Sequence, residues 1–153
     1  MKIIEYTGKY RDDFKNLNLE WLEKYFEVEP VDYTLLSDPE NQIIKKGGYI
    51  YLARQDNTTI GTVALLKKNA STYELSKMAV TENFQGKGIG KKLLDYCIDV
   101  LKVMNVEKLI LYSNSKLIPA IELYKKRGFK EIDLDSSDYK RANIKMEFDL
   151  THE

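Results

Sequence analysis

A glycine-rich turn between a strand pattern and a helix pattern constrains the fold of this chain more than any other feature. The segment Asn83–Cys97 reads NFQGKGIGKKLLDYC and places three of the chain's 8 glycines within five residues. The strand pattern STYELSKMAV, residues 71 to 80, comes directly before it. After it, one helical face stays apolar through Ile89, Leu93, Cys97, Val100, Leu101 and Met104. We expect a strand–turn–helix unit whose backbone N–H groups can approach an anion.

The chain before this unit shows strand and helix patterns in alternation. Residues 2–6 predict a strand, and residues 11–26 predict a helix with apolar positions at helical spacing. Pro30 interrupts, and SDPENQIIKKGG (residues 37–48) predicts a second helix that is capped by Ser37 or Asp38 and ends at Gly47. Residues 49–68 predict a β-hairpin around a Gln-Asp-Asn turn.

The chain after the unit predicts a strand, a helix and a last strand. Residues 108–113 are β-rich, and KLIPAIELYKKRGF predicts a helix with Pro119 in its first turn and Gly128 at its end. Residues 139–148 alternate between apolar and polar positions, as a strand does. If that strand lies at a sheet edge, pairing with a second copy would give a homodimer, and otherwise the chain is a monomer.

Composition narrows the classes of protein to which the chain can belong. Lys plus Arg and Asp plus Glu each number 24, so no global charge favours nucleic acid or an anionic membrane surface. No apolar run approaches the roughly 20 residues of a membrane span, and no signal peptide is evident. With Cys97 and His152 as the only residues of their types, we expect no disulfide and no metal site. We expect one cytoplasmic domain over residues 1–153.

Two phosphate-binding motifs are excluded by spacing. A P-loop would need glycine at Gln85 and a hydroxyl residue at Lys92. A dinucleotide fingerprint needs its third glycine three positions after the second, whereas here the glycines are 86, 88 and 90. A tight connection without a ligand stays open, but Lys87, Lys91 and Lys92 add positive charge where the helix dipole already favours an anion.

The sequence QGKGIG, residues 85–90, resembles the Q/R-x-x-G-x-G/A signature of the GNAT superfamily of acyl-CoA-dependent N-acyltransferases. ELSKMAV before the turn and AIELYKKRGF after it resemble the neighbouring motifs of that family, in the same order. The resemblance implies a mixed α/β fold in one domain. Its centre would be a twisted, mostly antiparallel sheet of about six to seven strands, flanked by about four helices.

The resemblance also implies acetyl-CoA as co-substrate, without a metal ion. The backbone of the turn would hold the pyrophosphate, and the bulged strand before it would offer N–H groups to the thioester and the pantetheine arm. These cofactor-binding positions are Met78, Ala79, Val80, Gln85, Gly86, Lys87, Gly88, Ile89, Gly90 and Lys91. Many family members carry an asparagine where this chain has Leu117, and Asn114 is the candidate replacement. Tyr112 stands where some protein N-terminal acetyltransferases of the family carry a glutamate. This difference weakens the interpretation that the chain acetylates ribosomal proteins.

Two residues match catalytic positions of the family. Glu74 lies where several members carry a glutamate that removes a proton from the amine through a water molecule; otherwise it is an exposed strand carboxylate. Tyr124 lies where a tyrosine protonates the departing thiolate; otherwise it only packs. The resemblance implies an N-acetyltransferase that acts directly on a primary amine of a small molecule or a peptide. The alternatives are a longer acyl group and a non-catalytic acyl-CoA-binding sensor.

The acceptor side of the family's fold is built from the first two helices and the last strands. Residues 20–40 contain seven carboxylates and one base, Lys24, so a cationic acceptor is one interpretation and a solvated helix face is the other. The candidate substrate-binding residues are Glu27, Glu29, Asp32, Tyr33 and Tyr139.

Overall fold

The computed structural model describes residues 1–151, and a seven-stranded sheet forms its centre. The strand order is β1-β2-β3-β4-β5-β7-β6, and only the pair β4–β5 is parallel. The strands are β1 (Lys2–Glu5), β2 (Tyr49–Gln55), β3 (Thr58–Lys67), β4 (Thr72–Val80), β5 (Lys108–Ser113), β6 (Lys130–Ile132) and β7 (Ile144–Asp149). The predicted fold class, a mixed α/β chain with a mostly antiparallel sheet, is confirmed.

Four α-helices cover the two faces of the sheet. They are α1 (Arg11–Tyr25), α2 (Pro30–Ser37), α3 (Ile89–Val103) and α4 (Ile118–Arg127). Within residues 1–151 no helix is both long and apolar enough to cross a membrane. Because side chains alternate along a strand, β2 sends Ile50 and Leu52 into the core under α1 and α2. Its residues Tyr51 and Ala53 enter the core under α3 and α4.

Local turn chemistry explains several of the confirmed boundaries. Asp56 and Asn57 both have positive φ, 51° and 62°, which is the backbone of the tight turn that suits a two-residue hairpin. Pro119 lies in the first turn of α4, where its missing N–H has no cost. Gly128 ends that helix at φ 113°, a conformation that other residues rarely adopt.

The segment after α1 differs from its prediction. Pro30 begins α2 instead of interrupting a helix, because a proline suits the first helical position and a capping box precedes it. In that box the Asp32 carboxylate accepts a hydrogen bond from the Glu29 N–H at 2.8 Å. The predicted helix over residues 37–48 is reduced to a single π-helical turn, Glu40–Ile44.

The last strand also differs from its prediction. It begins at Ile144, and it lies between β5 and β6 in the interior of the sheet. The possible edge position is therefore wrong, and pairing at this strand cannot form a dimer; the choice between a monomer and a homodimer stays a prediction. The edges are β1 and the short strand β6, and β6 was not predicted as a separate strand. His152 lies outside the described residues.

Strand β4 changes partners along its length, and this positions the site. It pairs with β5 from Thr72↔Lys108 to Leu75↔Leu111, and beyond that point the two strands separate. On its other side, its register with β3 shifts between Thr62 and Ala64, which marks a bulge. Lys77 on this bulge has φ 53°, in the left-handed region. The second half of β4 therefore lacks a β5 partner for its backbone groups.

Candidate active site

A cavity of about 410 Å³ opens where β4 and β5 separate, and it reaches both faces of the sheet. On the face of the sheet that α1 and α2 cover, the cavity is lined by residues of α1, such as Trp21, and by Phe26, which directly follows that helix. From the face under α3 and α4, it is lined by the start of α3 and by α4, with Leu123 and Tyr124. We call these two parts the α1 side and the α3 side. A volume of this size is typical of small-molecule sites.

The glycine turn lies on the α3 side of the cavity. Gly86 and Gly88 have φ of 77° and 81°, and a Cβ added to either would meet no atom within 4 Å. Gly88 is the N-cap of α3, so the first N–H groups of that helix have no partner within it. The positive φ of these two residues disfavours any residue with a side chain, and the space next to their backbone is open. These properties fit an anionic group such as a pyrophosphate held by main-chain N–H groups.

Most of the predicted cofactor-binding residues line the cavity. These are Met78, Ala79, Val80, Gln85, Gly86, Gly88, Ile89, Gly90, Lys91 and Asn114. The Gln85 amide donates a hydrogen bond to the Val80 carbonyl oxygen at 3.0 Å, which joins the turn to the end of β4. Lys87 does not belong to the lining; its ammonium lies 5.1 Å from the centre of the Phe84 ring.

Asn114 has both ends of its side chain engaged. Its Nδ2 donates to the Arg141 carbonyl oxygen at 2.7 Å, and its Oδ1 accepts from the Lys116 N–H at 3.0 Å. These bonds tie the β5–α4 loop to the segment before β7. Leu117, in the position of the family asparagine, also lines the cavity. Asn114 thus forms part of the cavity wall, and its side-chain amide is hydrogen-bonded to the protein backbone.

Glu74 lines the cavity, and its residue is only 3% exposed. Its neighbours Tyr73 and Leu75 belong to the core under α3 and α4, so alternation directs Glu74 toward the α1 side. Burial raises the pKa of this carboxyl above its usual value, and the Lys68 ammonium at 3.5 Å only partly offsets the effect. Glu74 is therefore not the exposed strand carboxylate of the alternative interpretation.

Tyr124 lines the cavity from α4, with its ring against Phe129 at 5.7 Å between centroids. Burial raises the pKa of its phenol to about 12. Within residues 1–151 the hydroxyl has no hydrogen-bond partner. The phenol is therefore protonated at neutral pH and has its O–H available to a molecule in the cavity.

The predicted acidic acceptor site is not assembled as the sequence suggested. Glu27 and Tyr33 are exposed and lie outside the cavity lining. Glu29 and Asp32 also lie outside the lining, and both carboxylates are bound by the Arg141 guanidinium, at 3.2 Å and 2.7 Å. Tyr139 does line the cavity, with its hydroxyl 3.3 Å from the Ser76 hydroxyl. Of the seven carboxylates in residues 20–40, Glu29, Asp32 and Glu40 form ion pairs with cations from other parts of the chain.

Asp32 is the centre of a buried ion-pair network that the sequence did not reveal. Its side chain is 0% exposed and binds both nitrogens of the Arg141 guanidinium and the Lys77 ammonium. Burial by itself would raise the pKa of Asp32, but hydrogen bonds from Arg141 and the charge of Lys77 outweigh it and lower the pKa to about 2. The network joins α2, the bulge of β4 and the segment before β7.

Sequence reasoning missed several residues of the α1 side, among them Trp21, Phe26, Lys77 and Arg141. The helical periodicity of α1 identifies Trp21 and Phe26 as apolar positions, but it cannot say that they border a cavity. Lys77 and Arg141 lie 45 and 109 residues from Asp32 along the chain, so no local spacing indicates that they pair.

A mixed sheet that splits around a cavity, with a glycine turn at a helix start, defines a class of acyl-CoA-dependent transferases. The chain belongs to the acetyltransferase (GNAT) family, whose sequence profile matches residues 12–129. It is accordingly an acetyl-CoA-dependent N-acetyltransferase.

Individual relatives agree with this assignment. The uncharacterized N-acetyltransferase YvbK of Bacillus subtilis (strain 168) is 30% identical over 74% of this chain and 75% of that protein. The spermidine N(1)-acetyltransferase of Thermoplasma acidophilum is 27% identical over 88% of this chain and 78% of its own length. The crystal structure of a GNAT-family acetyltransferase from Staphylococcus aureus Mu50 superposes with a TM-score of 0.89 at 26% identity, covering 97% of this chain and 98% of that one.

Substitution of Asp32 by Asn should destabilise the fold, because the buried Lys77 ammonium loses its counter-ion and Arg141 keeps only Glu29. We expect a loss of about 3 kcal/mol in the free energy of unfolding, measured by urea titration. Since the pKa of Asp32 is lowered, its contribution to stability should be complete above about pH 4 and lost as the pH falls toward 2. Glu27→Gln, an exposed member of the same acidic segment, is the control. Equal stability of the two variants would contradict the network.

Substitution of Gly88 by Glu should abolish acetyl-CoA binding, because a carboxylate would fill the space above the turn at a backbone angle that favours glycine. Isothermal titration calorimetry measures the affinity. Val103→Glu places a carboxylate at the exposed far end of α3, outside the cavity lining, and we expect it to retain binding. If Gly88→Glu folds and binds acetyl-CoA normally, the turn does not hold the cofactor.

Proposed function

We propose that this enzyme transfers the acetyl group of acetyl-CoA directly to a primary amine of a small molecule or peptide bound in the same cavity. The observation that carries the proposal is that one cavity is lined by two titratable groups from opposite faces of the sheet. Glu74 belongs to the α1 side and Tyr124 to the α3 side, yet both line one cavity at the split between β4 and β5. An amine and a thioester can therefore meet there without a covalent acyl-enzyme.

The residues present fit the cofactor. The open turn at Gly86 and Gly88 would hold the pyrophosphate, and the part of β4 that lacks a β5 partner would donate main-chain hydrogen bonds to the pantetheine arm and the acyl oxygen. When bound, acetyl-CoA supplies an activated acetyl group on a good leaving group. Cys97 takes no part, because it is buried in the core and burial raises the pKa of its thiol.

Glu74 is the proposed base. An alkylammonium with a pKa near 10.4 is only about one part in 10³ neutral at pH 7, which is equivalent to roughly 4–5 kcal/mol. A carboxylate with a raised pKa is a stronger base than an ordinary glutamate, and its burial removes competing solvent. Glu74 accepts the proton that the amine must lose, directly or through a water molecule.

Tyr124 is the proposed acid. Negative charge develops on the departing sulfur as the carbon–sulfur bond breaks, and a phenol O–H can stabilise that charge by hydrogen bonding and supply a proton. The raised pKa keeps the phenol protonated throughout the physiological range. Its lack of a partner within the described chain means that no internal bond must break first.

Substitution of Tyr124 by Phe should lower kcat about 10²-fold, the usual contribution of a single general acid, while acetyl-CoA affinity stays within twofold. Thiol release and calorimetry measure the two quantities. Tyr96→Phe removes a hydroxyl outside the cavity lining and should change neither. An unchanged kcat in Tyr124→Phe would remove this residue from the mechanism.

The pH dependence of kcat/KM should reflect the ionisation of the Glu74 carboxyl. The carboxyl must be ionised to accept a proton, so activity should fall as the pH drops through a pKa above the usual 4.5 of glutamate. Glu74→Gln should lose this acid limb and about 10²-fold in kcat/KM. Glu122→Gln, an exposed carboxylate on α4, should keep the wild-type profile. An unchanged profile in Glu74→Gln would assign the base elsewhere.

A further inference from the structure

We infer that the acceptor is a monoamine on an uncharged, apolar or aromatic body, rather than a polyamine or an amino acid. The inference rests on the proposed function, because it concerns the second substrate of the same cavity. Three properties of the α1 side carry it: the composition of its walls, the pairing of its charges and the position of its polar acceptor atoms.

The walls of the α1 side are apolar and largely aromatic. The lining includes Trp21 and Leu22 of α1 and Phe26, which directly follows that helix. Tyr139 belongs to the lining as well, and it lies in the segment before β7. The Trp21 and Phe26 rings contact each other with centroids 5.8 Å apart and planes tilted by 43°, so they form one continuous aromatic surface with a bend between the two rings. Such a surface favours a body of comparable size and polarity, because burial of its apolar area is the main source of binding free energy.

The cations of the α1 side are already paired. Lys77 and Arg141 line the cavity, but the Asp32 carboxylate binds both, and Glu29 binds Arg141 as well. The two cations and two carboxylates sum to zero charge. A carboxylate on the acceptor would therefore add a third anion to a neutral cluster, without an unpaired cation to receive it. The cluster argues against a free amino acid.

Only one carboxylate faces the α1 side within residues 1–151. It is Glu74, and its nearest cation, Lys68, lies outside the cavity lining. A first ammonium group has this partner. A second ammonium would find two of the rings already in contact with protein cations: Lys77 lies 4.8 Å from the centre of the Tyr139 ring, and Lys116 lies 4.2 Å from that of Phe26. Like charges close together are unfavourable, so the site discriminates against a polyamine.

A second acceptor atom supports binding of a single ammonium. Asn18 lines the cavity and is only 3% exposed, and its Nδ2 donates to the Phe14 carbonyl oxygen at 2.8 Å. Within residues 1–151 its Oδ1 accepts no hydrogen bond. One amide oxygen and one carboxylate give the α1 side acceptors for a single ammonium, next to the apolar surfaces of Trp21, Leu22 and Phe26.

Matched pairs of acceptors test this inference on the intact enzyme. 2-Phenylethylamine is compared with phenylalanine, which adds only a carboxylate, and hexylamine with 1,6-diaminohexane, which adds only a second ammonium; spermidine completes the panel. Acetyl-CoA-dependent thiol release gives kcat/KM for each. We expect each monoamine to exceed its charged counterpart about tenfold or more.

Two variants test the wall itself. Trp21→Ala and Phe26→Ala should each lower kcat/KM for 2-phenylethylamine about tenfold through KM, because a hydrophobic wall is removed, with acetyl-CoA affinity unchanged by calorimetry. Tyr96→Ala removes an aromatic ring outside the cavity lining and is the control.

The outcomes separate the inference from the proposed function. Preference for spermidine, 1,6-diaminohexane or phenylalanine, or wall variants that turn over 2-phenylethylamine as the wild type does, would overturn the inference and leave amine acetylation standing. Absence of thiol release with every amine, in protein that binds acetyl-CoA, would overturn both.

Discussion

The separation of β4 from β5 is the constraint on which the rest of the site depends. Two parallel strands that pair for four residues and then diverge leave backbone groups without a sheet partner in the middle of the molecule. Such groups are costly to bury unless something else satisfies them. Here they border a cavity, so an interruption that would weaken an ordinary sheet creates the candidate substrate site. The glycine turn, Glu74 and Tyr124 all take their positions from this split.

The bulge next to the split is held by charge. Lys77 adopts a left-handed backbone conformation that costs about 1 kcal/mol or more in a non-glycine residue. Its ammonium binds Asp32, which in turn binds Arg141, so the strained residue is anchored to two other segments. The network thus fixes the bulge of β4 relative to α2 and to the segment before β7.

The fold was largely predictable from sequence, because strands and helices follow local periodicity and turns follow glycine and proline. The failures have tertiary causes. Pro30 is compatible with either ending or beginning a helix, and the capping bond between Glu29 and Asp32 decides in favour of a beginning. The alternation of apolar and polar residues over 139–148 indicates a half-buried strand. It does not indicate which strands lie next to it, because those come from distant segments of the chain. In the site, motif resemblance located the cavity-lining residues of the turn. The charge surplus of residues 20–40 was misleading, because the counter-ions Lys77 and Arg141 lie far away in the chain.

A cavity that crosses the sheet has a consequence for the order of events. Under the proposed function, the two substrates would reach the reaction centre from opposite faces of the sheet, so that a molecule bound on one side would not block entry on the other. The two products would likewise have separate routes of departure. Initial-rate plots for such an enzyme give lines that intersect, as in sequential kinetics, and neither substrate has to bind first. Slow departure of one product then does not hold back the other.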